Sequence, residues 1–498
     1  MPEVGLTRGP LLTKRRTLLA GAAVAGLGAL VAADVARSRG LAGQPIGDDV
    51  KLQHLLRRAG FGASASELGQ YRRLGLAATV DRLINFDQVD NSALEDRLKK
   101  VNLDPNKPAD LLRWWTLRMI YTARPLEEKM TLFWHGLLTS AISKVGRSEP
   151  LYVQNQFFRT NALGSFPDVL KGISKDPAMM IWLDLETNRK GHANENYARE
   201  LMELFSLGVG NYTETDVRES ARAFTGRGVR RRQLPLGVFD FQSYFLPRQH
   251  DDGSKTFLGQ TGNFNGDDIV DIIVKQPASA HHITQRLFSF FVYPNPSDDV
   301  LTPLIDVYTS SKYSIKALMQ AILTSDTFYS APAYRALVKS PAELVVGTAR
   351  VLGAETDGRG LPQSMNQMGQ QLFNPSNVAG WPGGPAWLTS GTWLARLNFA
   401  NHVVASLGPT SAIQQIAQLA KRAAPVHVPS PTDNAKTPVE IADRLASLLL
   451  DGQISPAQRQ VLVAYATNAT AASARPWIDE RHRGALYLAL AMPEYHLG

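Results

Sequence analysis

The sequence predicts a mainly α-helical fold: a large multi-helix domain with one inserted β-hairpin and a small helical subdomain at its C-terminal end. Apolar residues recur at spacings of three and four from Leu52 to Leu207, which is typical of amphipathic helices. Only the stretch from Val238 to Phe257 alternates in the manner of strands joined by a turn. With 498 residues, 44% of them hydrophobic, the chain can bury a large core.

The first residues predict export. Arg15 and Arg16 precede a weakly hydrophobic run, Leu18 to Ala33, that is shorter than the roughly 20 residues a membrane-spanning helix needs. This is the pattern of a twin-arginine signal peptide, and the small residues at 31–33 provide a cleavage site. We therefore expect residues 1–33 to direct the protein out of the cytoplasm, to the periplasm or beyond, and to be its only contact with the membrane. An uncleaved N-terminal anchor is the alternative.

Composition shifts along the rest of the chain predict its organisation. Thr437 and Ser455 each combine a capping hydroxyl, a proline and a Glu or Gln three residues on, which marks the start of a helix. The predicted parts are a main helical domain (34–423) that contains the β-hairpin (about 237–259) and a Gly/Pro/Trp-rich loop (about 373–393), a linker (424–436) and a C-terminal helical subdomain (437–498).

Several function classes lose support from what the sequence lacks. There is no cysteine, which excludes disulfides, thiolate metal sites and thiol nucleophiles. Without residues 1–33, which hold four basic residues and one acidic residue, the net charge falls from +8 to about +5. This charge is modest and diffuse for the length, so nucleic acid is not expected as a partner. The basic run Arg227 to Arg232 is predicted to be a solvated loop. No phosphate loop, dinucleotide fingerprint or Gly-x-Ser-x-Gly elbow occurs.

Polar and charged residues are densest between Asp184 and Gly226. A helix is predicted between Asn194, a natural cap, and Gly208, a natural stop. On that helix Glu195, Arg199 and Glu203 form a stripe opposite the apolar face, with Asn196 and Glu200 beside it. The stripe has two open interpretations: an exposed ladder of ion pairs, or a site in which Glu195, Glu200 and Glu203 carry acid/base chemistry while Asn194, Asn196 and Arg199 bind sugar hydroxyls.

Other candidates lie outside this helix. His250 and Asp251 occupy a turn and form a candidate base or ligand, although turn chemistry alone explains the aspartates. His135, on an apolar helix face, is either a satisfied buried histidine or a functional one. Trp381 and Trp387, in the Gly/Pro/Trp-rich loop, suit stacking on sugar rings, or they seal the helical core.

Long motifs carry a resemblance to a known family. They are His54–Gly62, Lys129–His135, Phe158-Arg159 with Asn161–Gly164, His250-Asp251 with Gly253 and Lys255, Lys339–Pro341, Met368–Gln370, Gly380–Gly384 and Arg396–Phe399. Together they resemble, over nearly the whole chain beyond the signal peptide, a bacterial family catalogued as a domain of unknown function, number eighteen hundred. The resemblance implies twin-arginine export and an exported sulfatase-like or alkaline-phosphatase-like protein encoded nearby. Leu137 stands where we would expect a second histidine after His135, so a His-x-His metal pair is not expected there.

Three functional hypotheses follow. The first is an extracytoplasmic enzyme, a glycosidic-bond hydrolase or lyase, that acts on a polysaccharide or glycoconjugate; Arg159, Lys190 and Arg396 join its predicted substrate-binding residues. The second is a metal- or cofactor-dependent protein. Its ligands would come from His54, His135, His192, His250 and Asp251. The third is a non-catalytic assembly partner of the sulfatase-like protein. Because thiolates are absent and histidines are scattered, we expect no stoichiometric transition metal, and the sequence identifies no cofactor.

Overall fold

The computed structural model describes residues 47–407, 428–432, 434–468 and 480–498. The predicted signal peptide and part of the predicted linker lie outside these residues. Within them the chain forms 22 α-helices and four short strands. The predicted mainly α-helical fold is therefore confirmed.

The α-helices are numbered here in chain order. They are α1 (Asp48–Arg58), α2 (Ala65–Leu74), α3 (Leu76–Ile84), α4 (Ser92–Val101), α5 (Pro108–Tyr121), α6 (Pro125–Leu137), α7 (Ile142–Val145), α8 (Ser148–Thr160), α9 (Phe166–Ile173), α10 (Pro177–Trp182), α11 (Asn196–Glu200), α12 (Glu214–Ala223), α13 (Gly266–Val274), α14 (Pro277–Phe291), α15 (Asp298–Ser310), α16 (Ile315–Thr324), α17 (Pro341–Val351), α18 (Leu361–Gln367), α19 (Ser390–Ala405), α20 (Pro438–Leu450), α21 (Pro456–Asn468) and α22 (Glu480–Ala491).

Local capping chemistry determines where several helices begin. Reciprocal capping boxes, in which a hydroxyl or amide and an acidic side chain each bind the other residue's backbone N–H, open α12, α13, α17 and α20. The predicted cap of α20, Thr437 with Glu440, is confirmed. Ser455 and Gln458 form the equivalent pair before α21, where each residue's backbone N–H donates to the other's side chain.

Two small antiparallel sheets interrupt the helices. Strands β1 (Arg227–Gln233) and β2 (Phe239–Phe245) form one hairpin, and β3 (Lys255–Phe257) and β4 (Gln260–Gly262) form a second. The basic run that we predicted as a loop is strand β1, because its backbone pairs along its length with β2 from Arg227 opposite Phe245 to Gln233 opposite Phe239. The turn containing His250 consequently lies between the two hairpins, not at the tip of one.

The helix predicted between Asn194 and Gly208 is not a regular α-helix. It begins as α11 and continues as a π-helix, Leu201–Ser206, in which the backbone N–H of Leu207 donates to the carbonyl of Met202. The Ser206 hydroxyl also donates to the carbonyl of Leu201, five residues earlier, which stabilises the wider turn. The stripe inferred from 100° per residue is therefore rotated beyond Glu200.

One contiguous hydrophobic core extends from α1 to the last residues. It includes the buried side chains of α20 to α22, such as Leu445, Leu462 and Leu486. Helices α20, α21 and α22 pack against one another, and α22 packs on α19. In the part of the chain that the structure describes, none of the helices combines the length and the apolar character needed to cross a bilayer.

Candidate functional site

An open cavity lies between the first hairpin, the turn after it and the start of α13. It has a volume of about 580 Å³. Its walls come from the ends of β1 and β2, the His250 turn and the segment that precedes α13, and they include Arg227, Tyr244, Phe245, His250, Asp252, Asn263, Asn265 and Asp267, with Lys175 at one side. We call this cavity the His250 pocket.

His250 is held with one ring nitrogen occupied. Its Nδ1 lies 3.0 Å from the backbone carbonyl of Thr225. Because a carbonyl can only accept, Nδ1 carries the proton in the neutral imidazole, and Nε2 is left as an unprotonated acceptor. The ring also packs edge-on against Phe245, with centroids 5.3 Å apart. The imidazole is thus held in one orientation, with Nε2 as its remaining acceptor.

The turn that carries His250 is fixed by charged side chains behind it. Arg222 donates to both carboxylate oxygens of Asp251, at 2.7 and 3.2 Å, and holds the pKa of Asp251 down at about 2. The buried ammonium of Lys255 donates to the carbonyls of Asp251 and Gly253 at 2.6 and 2.9 Å. Asp251 is therefore the counterion of Arg222 in this turn, and of the two residues His250 is the better candidate base.

Gly226 allows the backbone behind the pocket to come close. Its φ is +87°, and a Cβ there would lie 2.9 Å from the carbonyl oxygen of Leu246 and 3.0 Å from the backbone nitrogen of His250. A side chain at this position would displace the His250 turn. Gly226, three residues after the end of α12, thus leaves room for the turn.

Charges of both signs line the pocket and are paired. Asp267 accepts from Lys175 at 2.6 Å and from Arg227 at 3.1 Å. Lys190 donates at 2.6 Å to Asp252, which also lines the pocket, and the side chains of this pair are 52% and 72% exposed. The predicted residue Lys190 therefore lies at the rim, where water competes with the ion pair.

Aromatic and amide groups complete the walls. Phe245 is 52% exposed although it is a large apolar residue, and its neighbour Leu246 is 39% exposed. Tyr244 lies directly over Gly228, where an added Cβ would be 2.5 Å from the ring. Asn263 is exposed beside them. Flat apolar faces beside amide groups are a combination that suits sugar rings and their hydroxyls.

The predicted residues on the α11 segment form a surface ladder instead of a pocket wall. Glu195 pairs with Arg199 at 3.4 Å, and Arg199 pairs with Glu214 at 2.8 Å. Their side chains are 34% to 65% exposed. Asn194 and Asn196 make local hydrogen bonds. The Asn194 side chain accepts from the Asn196 backbone N–H, and the Asn196 side chain donates to the Asp184 carboxylate.

Glu200 and Glu203 have features of both interpretations, the exposed ladder of ion pairs and the acid/base site. Both are half-buried, and Glu203 accepts from the Tyr212 hydroxyl at 2.7 Å across the π-helix. Burial, together with the charge of Glu203, raises the pKa of Glu200. π-Helical turns occur often at functional sites. Neither carboxylate lines the His250 pocket, and their catalytic role stays a prediction.

The remaining predicted residues are largely enclosed in the helical core. His135 accepts from the backbone N–H of Phe373 at 3.0 Å, and burial lowers its pKa to about 3. Trp381 packs edge-on against this histidine, 5.4 Å between centroids, and Trp387 is 4% exposed. Gly380 approaches so closely that a Cβ would lie 2.5 Å from the carbonyl of Gly136 in α6. The Trp-rich loop therefore seals the core.

Two predicted substrate-binding arginines are also buried. Arg159 donates to both carboxylate oxygens of Glu128, at 2.7 and 3.0 Å. Arg396 is 0% exposed and donates to the carbonyl of Lys339 at 2.8 Å. Neither lines the His250 pocket.

The histidines proposed as metal ligands are not brought together. His54 is buried, with Nε2 on the carbonyl of Phe328, whereas His192 is exposed. Across residues 47–407, 428–432, 434–468 and 480–498, no three His, Asp or Glu side chains are grouped so that they could hold one metal ion. The second hypothesis therefore gains no support from side-chain placement.

Sequence reasoning selected His250, Asp251 and Lys190 near this pocket but missed most of its walls. Arg227 and Asp267 meet only because β1 returns beside the start of α13. The exposed Phe245 had a usable signal: an aromatic residue directly before Leu246-Pro247, at the end of a strand whose partner is rich in arginine.

Fold and site together define a large helical protein with a hydrophobic core and an open pocket lined by polar and aromatic residues. The chain belongs to the family described as "Protein of unknown function (DUF1800)", whose model matches residues 54–497. No curated protein matches it significantly. No solved structure does so either.

Proposed function

We propose that this protein is exported and acts outside the cytoplasm on a polysaccharide or glycoconjugate that binds in the His250 pocket. The observation that carries the proposal is the oriented imidazole of His250, with Nε2 unprotonated, in a cavity of about 580 Å³. Ligand sites typically measure about 300 to 1,000 Å³ and place a few polar groups among apolar ones. The pocket therefore has room for one or two sugar rings.

The imidazole is the best-placed base in this pocket. Asp267 is engaged by Lys175 and Arg227, and Asp252 by Lys190, so each nearby carboxylate is already paired with a cation. At Nε2 His250 can take the proton that a sugar carbon loses in an elimination, or a proton of the water that attacks the anomeric carbon. The imidazolium formed can then return a proton to the oxygen that leaves as the glycosidic C–O bond breaks. Arg227 and Lys175 would stabilise the negative charge that develops on the ligand. This chemistry suits a lyase or hydrolase of glycosidic bonds.

Substitution of His250 tests the base. His250→Ala should reduce turnover of a responsive polysaccharide by about 10² to 10⁴-fold, the usual contribution of general acid/base catalysis, while unfolding is unchanged. His281→Ala is the matched control, because His281 is also partly exposed, at 41%, but pairs with Asp298 away from the pocket. Equal turnover in His250→Ala and wild type, on a substrate that the wild type degrades, would refute the role of His250.

Phe245 tests ligand binding separately from chemistry. Phe245→Ala should weaken polysaccharide binding, since the 52% exposed ring supplies the stacking surface. Val153→Ala removes a similarly exposed apolar side chain, 54%, outside the pocket and serves as the control. Titration calorimetry with soluble oligosaccharides measures the affinity of each variant. If Phe245→Ala binds as tightly as Val153→Ala and the wild type, this pocket is not the sugar site.

Export is tested by the arginine pair. Arg15→Lys combined with Arg16→Lys should leave the precursor in the cytoplasm, because the twin-arginine pathway reads the paired guanidinium groups in front of the h-region. Cell fractionation measures the distribution, and normal export of the double variant would refute the proposed location. Association with a sulfatase-like exported protein stays a prediction, which isolation from the native periplasm tests.

A further inference from the structure

A second polar site lies inside the protein, where its charged side chains are at most 14% exposed. Residues from α1, α6, α17 and α19, from the segment before α17 and from the residue that ends α20 meet there, and most of them belong to the motifs described above. They are Arg57, Arg58, Lys129, Lys339, Glu343, Arg396 and Asp451, which we call the buried charge cluster.

The two carboxylates of the cluster, Asp451 and Glu343, are each already paired with cations of the cluster. Asp451 accepts from Arg57 at 2.9 Å and from the Tyr334 hydroxyl at 2.8 Å. Glu343 accepts from Lys129 and lies 3.5 Å from Arg58. Glu343 also closes the capping box of α17, where it accepts from the Ser340 N–H at 2.8 Å. The Lys339-Ser-Pro341 motif thus starts α17 and also positions Glu343, the counterion of Lys129 and Arg58.

Cations nevertheless outnumber side-chain carboxylates in the cluster. Lys339 donates to the carbonyl of Tyr495 at 2.6 Å, and Arg396 donates to the carbonyl of Lys339. Carbonyl groups satisfy hydrogen bonds but supply no full negative charge. Burial lowers the pKa of Lys339 well below its ordinary value and that of Arg396 to about 10, which is the expected response to unneutralised positive charge away from water.

A small cavity opens between these groups. Its volume is about 50 Å³, and Arg57, Arg58, Lys339, Glu343 and Asp451 line it. One water molecule needs about 10 to 15 Å³ measured in this way, so the cavity can hold a small ion. Among the described residues, the buried Nε and Nη2 atoms of Arg57 have no hydrogen-bond partner. An unpaired buried N–H is costly, and a bound acceptor would remove that cost.

We propose that this cavity binds a small inorganic anion, which accepts from the unpaired N–H groups of Arg57 and offsets the excess positive charge of Arg58 and Lys339. The ligand is of the size of a halide or a small oxyanion, because the cavity has no room for an organic group. Anion binding then stabilises the junction between α1, the start of α17 and the residue that ends α20. This inference is independent of the His250 pocket.

Thermal unfolding at constant ionic strength tests the site. Sodium chloride, bromide, sulfate and phosphate each replace sodium gluconate, whose organic anion is too large for the cavity. Anions that bind should raise Tm saturably, by about 3 °C at one hundred times Kd for a chain of this size. The ranking among the salts identifies halide or oxyanion. The same Tm in every salt would overturn the proposal.

Arg57→Gln should abolish the anion-dependent rise in Tm, whatever it does to Tm in gluconate. Arg72→Gln is the matched control, because Arg72 is 45% exposed and paired with Asp49 at the surface; it should keep the full rise. An equal rise in both variants would overturn the site assignment. Crystals of the wild type grown in bromide give a second readout: an anomalous peak beside Arg57 supports the site, and bromide peaks confined to the surface contradict it.

Discussion

The buried charge cluster and the His250 pocket use the same kinds of side chain in opposite surroundings. Arg57 and Asp451 lie 2.9 Å apart with side chains 14% and 4% exposed, whereas Lys190 and Asp252 lie 2.6 Å apart at 52% and 72% exposed. Loss of one partner inside leaves a charge that is largely shielded from water, but at the rim water replaces the partner. Distance alone therefore says little about what an ion pair contributes.

Two of the predicted histidines, His135 and His250, show the same contrast. His135 is 1% exposed and uses Nε2 to accept from a backbone N–H, so its ring is committed to the core. His250 uses Nδ1 on a carbonyl and lines an open cavity with its other nitrogen available. Motif residues of one type are thus enclosed in the core in one region and line an open cavity in the other, and the predictions below test what each placement contributes.

The largest expected effect is a pH dependence from His135. Burial holds its folded-state pKa at about 3, below the ordinary 6.5. The unfolded chain therefore takes up the proton first, and stability is lost as pH falls from 6.5 toward 3, by about 4 to 5 kcal/mol in full. His135→Gln, whose side-chain oxygen can still accept from the backbone N–H of Phe373, should lack this part of the dependence of stability on pH.

Urea unfolding of both proteins between pH 7 and 4 measures the difference. Other buried groups contribute to both curves: the pKa values of His54 and His282 are lowered by burial, and that of Asp176 is raised to about 7. The subtraction therefore isolates His135. Parallel curves for the two proteins would show that His135 is not buried as a neutral ring.

Glu128 should give the next largest effect. This carboxylate is 0% exposed and accepts from Trp115, Arg118 and Arg159. Glu128→Gln leaves the buried guanidinium of Arg159 without its carboxylate partner and Arg118 with Glu95 alone, and we expect a loss of about 3 to 5 kcal/mol. Chemical denaturation at pH 7 measures it, and a loss under about 1 kcal/mol would mean that water reaches these arginines.

The turn of the His250 pocket should respond less. Arg222 binds Asp251 through two hydrogen bonds, but its side chain is 30% exposed. Solvent screening limits such a pair to about 1 kcal/mol or less, even in a bidentate geometry. Arg222→Gln should therefore lower stability slightly and polysaccharide turnover more strongly, since the turn positions His250. A stability loss as large as that of Glu128→Gln would place this turn with the core.

Local signals explain what the sequence could predict. Thr437 with Glu440 encodes a capping box within four residues. Non-local pairing explains the rest. The Arg227–Arg232 run becomes a strand only because Phe239–Phe245 pairs with it, and the π-helix depends on a hydroxyl that binds five residues back. Burial of His135 and Arg159 likewise needed the packed helices.

The smallest expected effect belongs to Glu195, and it bears on the first hypothesis from sequence. Glu195 is 38% exposed and lies 3.4 Å from Arg199, which keeps a closer partner in Glu214 at 2.8 Å. Glu195→Ala therefore removes one surface pair four residues apart on a helix, and stability should fall by only about 0.3 to 0.5 kcal/mol. Polysaccharide turnover should also be unchanged, because Glu195 does not line the His250 pocket. Denaturation and activity assays on the same preparation measure both quantities. A loss of turnover with an intact fold would restore the α11 segment as the catalytic element, and a stability loss of about 3 kcal/mol would mean that a partner covers this face in solution.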